Sequence, residues 1–141
     1  MKLFLDTSSL FKLYHKENDS NVIRQIFTDN KVFASLSDIS KIEFHSTVWK
    51  KVRTGEFTEI EVRTVAGLFE TDFEKYNFIP VDALIVKQAK DLIEKYGRQG
   101  LRTLDSIQLS TAISLKNQCD MFITTDKLLH SFFIQESLPV L

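Results

Sequence analysis

The stretch Lys2-Leu3-Phe4-Leu5-Asp6-Thr7-Ser8-Ser9-Leu10 constrains this chain more than any other. Leu3, Phe4 and Leu5 form an apolar run without alternation, the pattern of a strand buried on both faces in a parallel sheet. Asp6 ends that run. Thr7, Ser8 and Ser9 are helix-starting residues ahead of Leu10, Phe11, Leu13 and Tyr14. The segment therefore predicts a carboxylate at the carboxyl end of a central strand, beside a helix N-terminus. In open α/β sheets that edge is where ligands bind. An acid placed there needs counter-charge, and a metal ion is one source. The plainer role is a helix cap, and the stretch taken alone favours it.

The remaining sequence repeats the alternation of strand and helix. Helical spacing runs from about Ser8 to Tyr14, followed by a polar break over Lys16, Glu17, Asn18 and Asp19. Asp19 or Ser20 can cap a second helix carrying Val22, Ile23, Ile26 and Phe27. Val32, Phe33 and Ala34 predict a second strand. Ser37 or Asp38 then caps a helix with Ile39, Ile42, Val48, Trp49 and Val52, ending at Gly55. Thr58 and Glu61 fit a capping box ahead of Ile60, Val65, Leu68, Phe69 and Phe73. Phe78-Ile79-Pro80-Val81 predicts a strand whose proline suits a sheet edge. Asp82 caps a helix that runs through Leu84, Leu92 and Tyr96 and stops at Gly97. Gly97 and Gly100 flank a short loop, and Thr103 caps the next helix, with Ile107, Leu109, Ala112, Ile113 and Leu115. Met121 to Thr124 is a strand ending at Thr125-Asp126, followed by a short helix with Leu128, Leu129, Phe132 and Phe133. Leu138 to Leu141 is a candidate last strand. This order predicts a single three-layer α/β/α domain with a mostly parallel, roughly five-stranded sheet.

Composition narrows the chemistry. The chain has 141 residues, 43% of them hydrophobic, enough for one substantial core. The single cysteine, Cys119, excludes an internal disulfide and a cysteine-rich zinc site. His15, His45 and His130 form no metal-binding spacing. A net charge of -1 means that a nucleic-acid partner would have to use a local basic face. No apolar run approaches membrane-spanning length and the N-terminus lacks a signal-like segment, so the cytoplasm is the expected location.

Four acids stand out by position among 19. Asp6 and Asp126 both end predicted parallel strands, which puts them on one edge. Asp105 lies in the first turn of a helix. Glu43, between Ile42 and Phe44, is a candidate to point into a cleft. Each has a plain reading as cap, dipole partner or solvated surface. Their common edge is what makes the joint case stronger than any single one. Clustered carboxylates repel one another and are costly to bury unpaired. An all-oxygen set suits Mg2+ or Mn2+ rather than zinc, and implies metal-assisted phosphoryl transfer or hydrolysis. Cations flank these acids: Lys12 and Lys16 after Asp6; Lys50, Lys51 and Arg53 after Glu43; Arg98 and Arg102 before Asp105. Most of the lysines fit solvated surface. Arg102, three residues from Asp105, is the best phosphate contact, with Lys12, Lys50 and Arg53 as further candidates. Trp49, Phe11 and Tyr14 could stack on bases but fit core packing better.

The segments Leu5-Asp6-Thr7-Ser8, Ile42-Glu43, Leu104-Asp105-Ser106-Ile107-Gln108-Leu109 and Ile123-Thr124-Thr125-Asp126 resemble the acidic motifs of PIN domains. The resemblance is to VapC-like toxins of bacterial and archaeal toxin–antitoxin pairs, and it spans residues 1–141 in order. It implies a metal-dependent endoribonuclease in which Asp6, Glu43, Asp105 and Asp126 hold Mg2+ or Mn2+. Thr124 matches the family's hydroxyl two residues before the last acid, and Thr7, beside Asp6, is a second supporting hydroxyl. It also implies an RNA substrate, a homodimer and a small antitoxin partner. Lys41, close before Glu43, departs from the neutral or acidic residue expected there. Other readings of the same fold are a housekeeping PIN-domain nuclease and a non-catalytic RNA- or protein-binding module. A signalling receiver domain would need paired acids after the first strand, and a haloacid-dehalogenase-type phosphatase would need Asp-x-Asp. The chain has Asp6-Thr7-Ser8 instead.

Overall fold

Leu3, Phe4 and Leu5 are fully buried, and they lie on β1 (Lys2–Leu5), an interior strand. A computed structural model describes residues 1–17 and 20–141 of the chain. Its sheet has four parallel strands in the order β3-β2-β1-β4, with β2 at Phe33–Ser37, β3 at Tyr76–Ile79 and β4 at Met121–Ile123. Because side chains alternate along a strand, Leu3 and Leu5 enter one core and Phe4 the other. The first core lies under α1 (Thr7–Tyr14), α2 (Ser20–Asp29), α3 (Ser40–Arg53) and α4 (Glu59–Thr71). The second lies under α5 (Ala83–Tyr96), α6 (Thr103–Ser114) and α7 (Lys127–Gln135). The three-layer α/β/α arrangement follows.

Phenylalanine fills much of both cores. Phe44 and Phe69 lie 4.2 Å apart between ring centroids in the first. Phe4, Phe122 and Phe133 cluster in the second. Burying each such ring is worth about 1.5–3 kcal/mol.

Local signals hold where a side chain can reach a free amide. Thr58 and Glu61 make both bonds of a capping box at the start of α4. Asp82 accepts from the Ile85 amide at 2.9 Å at the start of α5. β3 is an edge strand and stops at Ile79, just before Pro80, two residues earlier than the pattern suggested.

Other expectations are corrected. Ser37 stays in β2, and α3 starts behind Ile39 with no side-chain cap. Asp38 pairs with Lys41 at 2.8 Å instead. Thr103 is the first residue of α6 rather than its cap; Arg102 occupies that position without a capping bond. Ser20 opens α2 with its hydroxyl accepting from the Glu17 amide, while the alternative cap, Asp19, lies outside the described residues. The chain continues past Gly97 in a 3-10 turn, and the left-handed residue is Gly100, at φ 99°.

The sheet holds four strands where roughly five were expected. Leu138–Leu141 contributes one parallel bridge, Val140 to Phe122. The Leu138 amide closes the end of α7 on Phe133, and Pro139 has no amide to give, so the segment cannot extend a ladder. Among the described residues no helix is long and apolar enough to cross a membrane.

Candidate active site at the carboxyl edge of the sheet

Asp6 leaves the end of β1 and is 4% exposed. Its carboxylate accepts from the Ser9 amide at 3.0 Å, which caps α1. It also accepts from the Ser8 hydroxyl at 2.8 Å and the Thr124 hydroxyl at 2.7 Å. All three donors are neutral. Burial pushes the Asp6 carboxyl above its ordinary pKa, and these hydrogen bonds offset only part of that.

Glu43 projects from the first turn of α3. Its Oε1 accepts from the Thr7 hydroxyl at 2.9 Å and from the Gln108 amide at 2.7 Å. Among the described residues no hydrogen bond reaches Oε2. Glu43 is pushed up by burial, with smaller contributions from the charges of Asp6 and Asp105. Asp105, half-buried in the first turn of α6, is raised by burial and then by Asp126, against partial relief from Arg102. Asp126 follows β4 and caps α7, accepting from the Leu129 amide at 2.7 Å. Thr124 ties the two strand ends together, because its hydroxyl donates to Asp6 and accepts from the Asp126 amide at 3.1 Å.

The four acids thus share one electrostatic neighbourhood. Among the described residues none of them is ion-paired with a lysine or arginine. No three His, Cys, Asp or Glu side chains among those residues close to metal-cage spacing either. Magnesium does not require that, since it keeps several waters and uses one or two carboxylates. Among the described residues, two buried polar atoms near the acids, Ser9 Oγ and Gln108 Oε1, have no hydrogen-bond partner. Excess negative charge, an all-oxygen donor set and an open Glu43 Oε2 fit a hard divalent cation.

The PIN domain family model matches residues 3–132. The chain belongs to the PIN domain family. Comparison with curated proteins gives no match. Among solved structures, the domain is similar to Mycobacterium tuberculosis VapC20, described as a Sarcin-Ricin loop cleaving toxin. The TM-score is 0.68 at 13% identity, covering 92% of this chain and 93% of that one. FitAcB from Neisseria gonorrhoeae gives 0.72 at 14% identity, covering 98% and 95%. A toxin–antitoxin complex from Klebsiella pneumoniae gives 0.59 at 18%, covering 88% and 86%. At such identities the likeness is one of fold.

The cations of this PIN domain divide sharply. Arg102 is exposed at the N-cap of α6, where its charge acts on Asp105. Lys50 and Arg53 are exposed on α3, two and three turns beyond Glu43. Lys12 is buried, its ammonium paired with Glu17, and so offers nothing to a ligand in this arrangement. Lys51 pairs with Glu17 and Glu56. Lys41 lies over the Phe78 ring at 4.4 Å, turned toward β3. Phe11 is core, and the Tyr14 hydroxyl donates to Asp72. Trp49, expected in the core, is 43% exposed.

Four residues escaped the sequence reading. Ser8 on Asp6, Ser40 beside Thr7 at 3.0 Å, and Gln108 on Glu43 carry no charge and match no spacing rule. Lys127, exposed directly after Asp126, is not among the cations named from the sequence. The feature that marks Gln108 exists only in the fold: Ser106 and residues 108–112 are all buried, so a long polar side chain among them needs internal partners.

Proposed function

We propose that this PIN domain is a Mg2+- or Mn2+-dependent endoribonuclease that hydrolyses RNA phosphodiester bonds, acting as the toxin of a type II toxin–antitoxin pair in the cytoplasm. The observation that carries the reading is the cluster of Asp6, Glu43, Asp105 and Asp126, three of them with raised pKa values. Nothing cationic among the described residues pairs with it. Such a cluster costs stability until positive charge arrives from outside the chain.

In this reading Asp6, Glu43, Asp105 and Asp126 would hold the cation, one or two of them directly and the others through its waters, and when bound it would polarise the scissile phosphate and offset charge developing on its oxygens. The chain's own residues supply orientation. Ser8, Ser9 and Thr124 hold Asp6, while Thr7 and Gln108 hold Glu43 Oε1 and leave Oε2 open. Exposed Arg102, Lys50 and Arg53 are the proposed contacts for neighbouring phosphates of a single strand, and exposed Trp49 is available for stacking. A homodimer and a small antitoxin are part of the proposal. An antitoxin presenting arginine or lysine to Asp6 and Asp105 would supply the same missing charge as the metal. The likeness in fold to the Klebsiella toxin–antitoxin complex supports the antitoxin, and that to the Mycobacterium toxin supports the toxin role.

The test is cleavage of RNA by purified protein with Mg2+ or Mn2+, and its arrest by a chelator. Asp6→Asn keeps a capping side chain and removes the charge. It should lose at least about a hundredfold in rate, the scale of losing one key electrostatic group. Undiminished cleavage in excess chelator overturns the proposal.

A further inference from the structure

Gln108 lies three residues beyond Asp105 on α6 and is 2% exposed. Its Nε2 stands 2.7 Å from Glu43 Oε1, 3.2 Å from Thr7 Oγ1 and 3.2 Å from Ser40 Oγ. One amide thus reaches α1 and two residues of α3 from the helix that carries Asp105. Glu43 Oε1 takes one N–H at the short distance, and Thr7 and Ser40 share the other. The Thr7 hydroxyl passes its own proton on to Glu43 Oε1 at 2.9 Å. Turning the amide over would set its oxygen against the carboxylate oxygen, two acceptors at hydrogen-bond distance, so the nitrogen faces inward.

That orientation leaves Gln108 Oε1 buried with no partner among the described residues. An unpaired buried acceptor is a liability that methionine, of similar length, would not carry. What the amide adds over an apolar side chain here is its pair of donors. We infer that Gln108 is a positioning residue that fixes the Glu43 carboxylate against the helix bearing Asp105. It sets the span between these two acids and decides which Glu43 oxygen is open. The consequence for metal and RNA rests on the nuclease reading above.

The experiment uses Gln108→Met in the full chain, with three readouts. These are Mn2+ affinity from the free-ion EPR signal, kcat and KM for RNA cleavage, and the metal-free melting temperature. Mn2+ affinity and kcat should each fall about 10- to 100-fold, the usual loss when a ligand's outer hydrogen-bond partner is removed. KM should stay within about twofold, since Gln108 is buried away from substrate, and the metal-free melting temperature should hold or rise. In a Glu43→Gln background the same change should cost less than about twofold in Mn2+ affinity, because its effect passes through Glu43. Gln108→Asn keeps an amide but withdraws it by one methylene. It should show the same loss, and it carries the test if the methionine variant does not fold. A folded variant with Mn2+ affinity and kcat within about twofold of the parent overturns the assignment, as does a loss fully retained in the Glu43→Gln background. A parent that neither binds Mn2+ nor cleaves RNA overturns the nuclease reading and this role with it. A parent that does both beside an unaffected variant overturns the Gln108 role alone.

Discussion

Asp105 has the least protein support of the four acids. It accepts no hydrogen bond among the described residues, and burial followed by the Asp126 charge raises its pKa. Below the ordinary carboxylate pKa of about 3.9 the group is neutral in both folded and unfolded chains, so asparagine in its place changes little. As pH rises through the raised folded-state pKa, the folded chain must ionise a group that the unfolded chain ionises more readily, and stability is lost. The melting-temperature advantage of metal-free Asp105→Asn should therefore open above about pH 4, grow with pH up to the raised folded-state pKa and level off beyond it. Mn2+ should reverse the comparison. It binds only the folded parent, stabilising it by about 2.7 kcal/mol at a hundred times its dissociation constant, and Asp105→Asn should lose most of that. Melting curves in which the variant is less stable at neutral pH, and neither protein responds to Mn2+, would refute the acid cluster.

Two of the acids also build helices. Asp6 caps α1 and Asp126 caps α7, so cap and site, which look like alternatives in sequence, are held by the same carboxylates. This separates charge from capping experimentally. Asparagine caps nearly as well as aspartate, whereas alanine costs about 0.5–2 kcal/mol. Asp126→Asn should keep the metal-free melting temperature and lose the Mn2+ response, while Asp126→Ala should lose both. Equal destabilisation by the two substitutions would mean that the charge, not the cap, supports α7. The same elements show what the sequence could reveal. Strand ends at Asp6 and Asp126, the Thr58–Glu61 box and the edge position of β3 follow from patterns local to a few residues. The starts of α3 and α6 depend on where the preceding backbone lies, and spacing does not encode that. Gln108 and Ser40 join the site only because α6 and α3 meet across α1, a contact between residues far apart in the chain.

At the scale of the whole molecule, a net charge of -1 gives RNA no general attraction. On the proposed nuclease reading, affinity would come from a few exposed cations that flank the acids in sequence. Lys12 is taken by Glu17 and Lys51 by Glu17 and Glu56, which leaves Lys16, Lys50, Arg53, Arg98 and Arg102 of the cations that flank the acids in sequence. Each phosphate contact on a single strand contributes about 0.7 to the slope of log affinity against log salt. RNA binding should therefore show a shallow slope, the sum of a few contacts, rather than the steep one of a polycation. Arg102→Ala should lower that slope by about 0.7 and weaken binding by a similar factor for all sequences, because a phosphate contact reads no base. The competing role for Arg102 is internal, since its charge partly offsets the raised pKa of Asp105. If that is its whole use, the alanine variant should keep the parent's salt slope and instead melt lower at neutral pH, because the Asp105 carboxylate loses that relief. Added Mn2+ would then remove the difference by supplying the charge that Arg102 gave. Binding titrations at three salt concentrations, paired with melting curves with and without Mn2+, tell the two apart. An unchanged slope with a lowered melting temperature removes Arg102 from the RNA face.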